Sequence, residues 1–483
     1  MNSLWLSENK NDKFESLSNN IETDVCIIGA GIFGMTCGYY LSKAGLKVTI
    51  VEKDEIGHKT TGHTTAKITS QHGLFYTYLV DTYGESFAKD YLSANQDAIE
   101  NIKNIINNEK INCDFERQSS FVFTTNPSEV SQIKKEVDIL NSLGFPANFV
   151  TKTGLPFEIA GAVQFQNQAQ FNPIKYLNGL ANSITKNHGE IYTNTTVYDV
   201  KHSDDMFYIF TPNGVISSKY VILASHYPFI NFPGIYFFKM YQSSSYIIGI
   251  GTKKTLNNGM YITASSPTYS FRTANYNGRK ILLIGGSDHK TGTPLSYEDT
   301  YGALENYAKQ LYPNCEILFR WDTRDCITLD KIPYIGRFSN TMDNIYVGTG
   351  FNKWGMTSSN VAANIVCDMI LGRKNEYAYV FDSTRVHPIK NRTEIKNMIT
   401  ESVNSLALNK FKDSDIDFDE IMRRNLNAAI SASVALADKN PEAAGYAEQF
   451  ERFAKISANI TIGILRDYHA MLEKSLGTDD TIH

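Results

Sequence analysis

Residues 23–53 read TDVCIIGAGIFGMTCGYYLSKAGLKVTIVEK, and this stretch decides how the rest of the chain is read. An apolar run, Val25 to Ile28, enters Gly29-Ala30-Gly31-Ile32-Phe33-Gly34. A helical pattern follows to about Gly45, and a second apolar run, Val48 to Val51, ends at Glu52-Lys53. Strand, glycine turn, helix, strand and acid come in the order of a Rossmann-like dinucleotide-binding unit. Gly29 permits the tight turn, Gly31 lets the backbone approach a pyrophosphate, and Gly34 lets the helix lie close on the strand. The helix start at Ile32 and Phe33 offers free N–H groups to phosphates, and Glu52 is placed to accept from ribose hydroxyls. NAD and FAD both use such a unit, and purely structural glycine turns share its pattern.

Composition bounds what the remainder can be. A chain of 483 residues with 42% hydrophobic residues buries a substantial core and suggests two or three domains. The formal net charge of -5 gives no global basic field, so neither nucleic acid nor anionic membrane is expected as a partner. The six cysteines are scattered without a C-x-x-C or a Cys-x-His pairing, which points to small apolar residues in a reducing compartment and to no metal site. The first 20 residues hold no apolar core of signal-peptide length, and no uncharged apolar run is long enough to span a membrane, so a cytoplasmic location is expected.

After Glu52 the chain does not return promptly to a strand. It runs KDEIGHKTTGHTTAKITSQHG, short on large apolar residues and dense in hydroxyls, which suits a loop wrapping a larger cofactor. With this loop the N-terminal unit resembles the FAD-dependent oxidoreductases of the D-amino acid oxidase family. Residues 322–337, DTRDCITLDKIPYIGR, and 344–372, NIYVGTGFNKWGMTSSNVAANIVCDMILG, are similar to that family's C-terminal flavin motif. The resemblance covers about 20–388. It looks closest to a bacterial subgroup in which the oxidase is followed by a Rieske domain, but no cysteine follows Cys367, so no Rieske cluster is expected.

The resemblance implies an α/β fold: a Rossmann-like FAD-binding domain from 20–80, 150–230 and 320–388, and an antiparallel β-sheet substrate domain from 81–149 and 231–319. It implies FAD held by Gly29, Gly31, Ile32, Phe33, Gly34, Glu52, Lys53, Thr60, Thr61, Gly62, His63, Thr64, Thr65 and Lys67 at the first motif. Val197 and Ala224 resemble adenine-side positions, with strand core as the alternative for Val197. Gly350, Asn352, Lys353, Trp354, Gly355, Met356 and Thr357 resemble the turn against the isoalloxazine ring, where a helix N-terminus favours the charge of reduced flavin. In the dimethylglycine and sarcosine dehydrogenase branch a Thr-Thr-x-His run carries its flavin covalently. Thr60 to His63 resemble it, so His63 is a candidate for a histidyl-FAD bond, with noncovalent packing as the alternative.

The family's chemistry implies hydride removal from a carbon beside an amine nitrogen of an amine or amino acid, with oxygen or another acceptor. Arg272, in SFRTAN (270–275), suits bidentate binding of a substrate carboxylate, a surface sheet arginine being the alternative. Lys353 is expected at the flavin O2 edge or as an oxygen-activating charge, a solvated lysine being the alternative, and His289, in GGSDHKTG (285–292), at the cavity or as a structural histidine. Residues 391–483 carry helical periodicity and no strand signal, with helices expected near 393–410, 415–439 and 441–476. They are expected to form a helical domain for self-association or partner docking. Two other functions fit less of the sequence: a flavin-containing sensor or scaffold worked by the helical tail, and a dehydrogenase of hydroxy acids or alcohols.

Overall fold

The structure, a computed structural model, describes residues 3–8, 13–230, 233–234, 236, 239–253, 256 and 258–385. The described residues of Met1–Pro228, Gln242–Arg337 and Asn344–Ser383 make one compact unit. Those of Phe229–Tyr241, Phe338–Asp343 and Thr384–His483 make a second, in which the Tyr236 hydroxyl donates to the Phe338 carbonyl at 2.9 Å. The helices expected within 391–483 lie outside the described residues.

The opening motif folds as read. Ile21–Ile28 and Val48–Val51 are parallel strands flanking the helix Ile32–Lys43. They belong to a sheet ordered Glu190–Tyr192, Val48–Val51, Ile21–Ile28, Gly214–Leu223, Met342–Thr349, Tyr334–Ser339, and its first five strands pair in parallel. Val48–Val51 is buried throughout, as a strand covered on both faces must be. The order reverses between Ile21–Ile28 and Gly214–Leu223, so the ends of those strands form the topological switch point where such sheets bind ligands. Gly29 and Ala224 stand there. A Cβ on Gly29 would lie 2.5 Å from the Ala224 carbonyl oxygen, and one on Gly34 would lie 2.0 Å from the Gly29 oxygen.

The second sheet is mainly antiparallel and runs Glu316–Thr328, Met240–Gly251, Arg279–Lys290, Ser270–Tyr276, Met260–Thr263, Glu116–Thr124, Gly161–Gln170, Lys67–Ile68. One pairing departs from the expected antiparallel pattern. Met260–Thr263 runs parallel to Glu116–Thr124, which the long connection between them allows. Strands at 67–68, 161–170 and 316–328, which the sequence groups with the nucleotide half, pair in this sheet. The strand order ends on one side at Lys67–Ile68, which follows the TTGHTT loop, and on the other at Glu316–Thr328, while Ala147–Val150 pairs with Gly161–Gln170 off this path.

Local signals hold with small shifts. Asn172 caps the helix Pro173–Lys186 by accepting from the Ile174 and Lys175 N–H groups, with Pro173 at the first position. Asn277 and Gly278, at φ 47° and 73°, make the expected hairpin turn. The earlier hairpin turns at 212–213 rather than at Asn213-Gly214, with Gly214 opening the strand opposite Thr211. Residues 189–202, GEIYTNTTVYDVKH, read as one strand but break into Glu190–Tyr192 and Asp199–Ser203, because the 192–195 backbone turns aside to bond Glu52 and Asp54.

A stability contrast follows from the two kinds of glycine. Gly34→Ala forces backbone apart and is expected to cost more than about 2 kcal/mol. Gly144→Ala, at φ 85° with nothing within 4 Å of an added Cβ, is expected to cost about 1 kcal/mol. Urea unfolding of the two variants checks the order.

Candidate active site

At the first glycine turn the three glycines separate by role. Gly29 and Gly34 are fixed by neighbouring backbone, whereas a Cβ on Gly31 would meet only the Thr61 hydroxyl, at 3.3 Å. Gly31 is extended, at φ -78° and ψ -178°, so its conformation does not demand glycine either. The space kept above it is what a pyrophosphate at the helix N-terminus needs. The helix start has no side-chain cap from Gly31, and the Ile32 N–H instead donates to Thr61 Oγ1 at 3.2 Å. Phe33 closes the floor: its ring occupies the place of a Gly348 Cβ and meets Phe351 edge-on at 6.2 Å.

Glu52 is held at the foot of the turn. One carboxylate oxygen accepts from the Ala30 N–H at 2.8 Å and the other from the Asp54 N–H at 3.0 Å. Each oxygen keeps a further lone pair for a ribose hydroxyl. The Glu52 carbonyl accepts from the Thr195 N–H at 2.8 Å, which sets Val197 two residues beyond this grip. Lys53 is exposed. The Ala224 N–H extends the ladder to Ile28, and two residues on, the buried His226 Nε2 has no hydrogen-bond partner among the described residues. Burial pushes His226 down to about 4, so it is neutral.

The TTGHTT segment crosses from the nucleotide sheet to the second one. Thr60–His63 is a 3-10 turn. Thr60 Oγ1 donates to the Arg324 carbonyl at 3.3 Å, and Thr64 Oγ1 accepts from the Ala66 N–H at 3.0 Å. His63 Nδ1 lies 2.8 Å from the Lys59 carbonyl and, since a carbonyl only accepts, donates to it.

Arg272 is not a surface arginine. It is buried, with Nε donating to the Thr273 carbonyl at 2.9 Å and Nη1 to the carbonyls of Thr65 and Ala66, each at 2.8 Å. The donors that a substrate carboxylate would use are engaged largely by backbone. Burial pushes it down to about 9, so it remains charged at neutral pH. Beside it, Lys67 is pushed down to about 7, first by burial and then by the charge of Arg272.

The second glycine turn abuts the same region. Gly350 has φ 70°, and a Cβ there would sit 2.2 Å from Thr328 Cγ2. Asn352, at φ 48°, accepts from the Thr328 N–H at 2.8 Å and donates its own N–H to the Cys326 carbonyl at 3.2 Å. The turn opens into the helix Gly355–Ile370, whose first residue has open space where a Cβ would stand. Met356 and Thr357 point inward, and Thr357 Oγ1 donates to the Thr69 carbonyl at 3.1 Å. Trp354 stacks on His72 at 4.9 Å, a residue the sequence gave no reason to select. His72 is buried, bonded to Tyr91 and Thr69, and held neutral by burial.

Between loop and turn lies a charged group. Lys353 Nζ pairs with Asp288 at 3.0 Å and donates to Ser245 at 2.5 Å. Asp325, half-buried on the strand Glu316–Thr328, is pushed up to about 6 by burial, against the charge of Lys353. Asp288 adds its negative charge to the same rise. His289 adjoins Asp288, but its ring stacks on Tyr246 at 5.6 Å. Asp325 lies inside the 322–337 stretch and Asp288 inside GGSDHKTG, but the sequence singles out neither.

The residues of both turns thus fit a dinucleotide that also carries a flat ring system. Residues 24–369 match the family model "DAO: FAD dependent oxidoreductase". The Bacillus subtilis (strain 168) protein "Putative Rieske 2Fe-2S iron-sulfur protein YhfW" is 34% identical over 417 residues, 86% of this chain and 82% of that one. The Escherichia coli (strain K12) gamma-glutamylputrescine oxidoreductase is 22% identical over 385 residues, covering 76% and 88%. Among solved structures, glycine oxidase from Geobacillus kaustophilus shares the fold with a TM-score of 0.65 at 18% identity, over 76% of this chain and 100% of that one. L-proline dehydrogenase from P. horikoshii does so with a TM-score of 0.63 at 19%, over 76% and 98%.

The chain belongs to the DAO family of FAD-dependent oxidoreductases. It is an enzyme with FAD as its cofactor. No helix among the described residues is long and apolar enough to cross a membrane.

Gly31→Ala tests the division of roles at the first turn. Its urea unfolding midpoint is expected to match wild type, while FAD content after purification falls at least tenfold, read from flavin absorbance per protein.

Proposed function

We propose that the enzyme oxidises a C–N bond of an amine or amino acid by hydride transfer to the flavin, with oxygen or another carrier as the final acceptor. The observation that carries this reading is the Asp325–Lys353–Asp288 group, set between the two flavin segments that Thr60 and Asn352 tie to the strand Glu316–Thr328. It provides negative charge for the nitrogen end of a substrate. Relatives named as acting on glycine, L-proline and gamma-glutamylputrescine support the same substrate class.

FAD, when bound, supplies a two-electron acceptor for a hydride. The protein's share is position and charge. Ionised Asp325 accepts from a substrate N–H. Lys353 is kept from closing on Asp325 by its pairing with Asp288 and its bond to Ser245. Arg272 acts on the loop, and a substrate carboxylate would have to find another donor. Six free thiols, five of them buried, accord with a cytoplasmic setting.

Anaerobic addition of candidate amines and amino acids, scored by bleaching of the flavin, tests the reaction. A full panel without bleaching, on protein with stoichiometric FAD, would count against it. Asp325 is ionised above its raised value and neutral below it, so kcat/KM is expected to fall as pH drops through about 6. Asp325→Asn should flatten that limb and lower kcat/KM about 10- to 100-fold.

The bond from His63 Nδ1 to the Lys59 carbonyl, which leaves Nε2 without a hydrogen bond among the described residues, further supports covalent attachment of FAD at this residue. Acid precipitation is expected to leave yellow colour in the pellet for wild type and none for His63→Ala. Colour wholly in the wild-type supernatant excludes the link.

A further inference from the structure

The carbonyls of the flavin loop are taken, one after another, by side chains from distant parts of the chain. Ser3 Oγ donates to Gly62 O. Trp321 Nε1 donates to His63 O at 2.9 Å, and Trp5 Nε1 to Thr64 O at 2.7 Å. Arg272 Nη1 takes the next two, Thr65 O and Ala66 O. Five consecutive carbonyls, 62 to 66, are thereby held by four residues, none closer in sequence than residue 5.

Residues 3–8 are part of this arrangement and not an incidental covering. Ser3, Leu4 and Trp5 are buried, and Leu4–Glu8 is helical. The Trp5 ring lies over the Arg272 guanidinium, 5.3 Å from Cζ to the centroid, so the two donors brace each other. A Cβ on Gly62 would lie 3.0 Å from Leu6 Cδ2 and 2.5 Å from Gly57 O, so glycine there admits the N-terminal helix as well as the 3-10 turn. A carbonyl row fixed in this way leaves the loop little freedom to rotate its peptide planes, and a loop's peptide orientation decides which groups it turns to a ligand.

We propose that residues 3–8 act as a clamp for the cofactor: Ser3 and Trp5, with Trp321 and Arg272, hold loop 60–66 in the one geometry that sets His63 and the threonines against the flavin. Ser3 and Trp5 are positioning residues, since they act through the loop. The proposal rests on the reading that this loop lies on the flavin ring, and the test separates the two.

Trp5→Phe keeps a ring over Arg272 and loses one N–H, and Ser3→Ala loses one hydroxyl. In holoprotein, amide exchange of 60–66 is expected to rise about three- to tenfold in each variant, as for loss of one hydrogen bond. Exchange in the helix Glu85–Asn108 stays at the wild-type rate, showing that the fold is intact. The flavin's visible absorption bands and reduction potential are expected to shift in both variants and in His63→Ala. Unchanged loop exchange, or raised exchange with an unchanged flavin, overturns the clamp. If His63→Ala alone moves the flavin spectrum, the loop assignment stands without the clamp. If no variant moves it, the loop assignment falls and takes the clamp with it.

Discussion

Gly29 and Ala224 end neighbouring parallel strands whose onward connections leave in opposite directions, and the contact between them has no room for a side chain on Gly29. That close approach sets the width of the switch point. Ile32–Lys43 packs on the strands from one such end and on Gly355–Ile370 beside it, so the two helices that begin at the glycine turns are neighbours. Phe33 then fills the space that Gly348 leaves open. Placing bulk at Gly29 would shift the first helix, and through Phe33 the strand that feeds the second turn.

Charge is arranged with similar economy. Arg272 tolerates burial because its N–H groups meet carbonyl oxygens in place of water, and because Trp5 covers its face. Lys67 has no such set of partners beside it and gives up part of its hold on a proton instead. Elsewhere in the same sheet Asp288, on Arg279–Lys290, pairs with Lys353, whose charge opposes the rise of Asp325, on Glu316–Thr328.

What the sequence disclosed follows the range of the interactions. The GAGIFG turn, the Asn172-Pro173 helix start and the Asn277-Gly278 hairpin are local, and their residue types state their own backbone requirements. Gly350 and Asn352 were legible for the same reason. Arg272 was selected as a polar residue in a strand, but the alternation of a strand tells only which face a side chain takes. What stands opposite, here the Thr65 and Ala66 carbonyls 200 residues away, is set by tertiary folding. Trp5, Trp321 and His72 gave no signal, because a buried aromatic with one polar atom looks like any core residue until its acceptor is known. Asp325 was passed over within the 322–337 stretch, since an acid in a strand is ordinarily a solvated one.

The row of bonded carbonyls has a consequence for how the protein is made. Ser3 and Trp5 are synthesised before the loop, Arg272 about 200 residues after it, and Trp321 about 50 residues later still. The loop at 60–66 cannot take its final form during early synthesis, however soon the first strand–turn–helix unit folds, because contacts so distant in sequence close late. On the proposal that this loop is clamped against the flavin, stable loading of the cofactor is expected late in biosynthesis, and a truncated chain with a well-formed nucleotide-binding turn is expected to lose its colour.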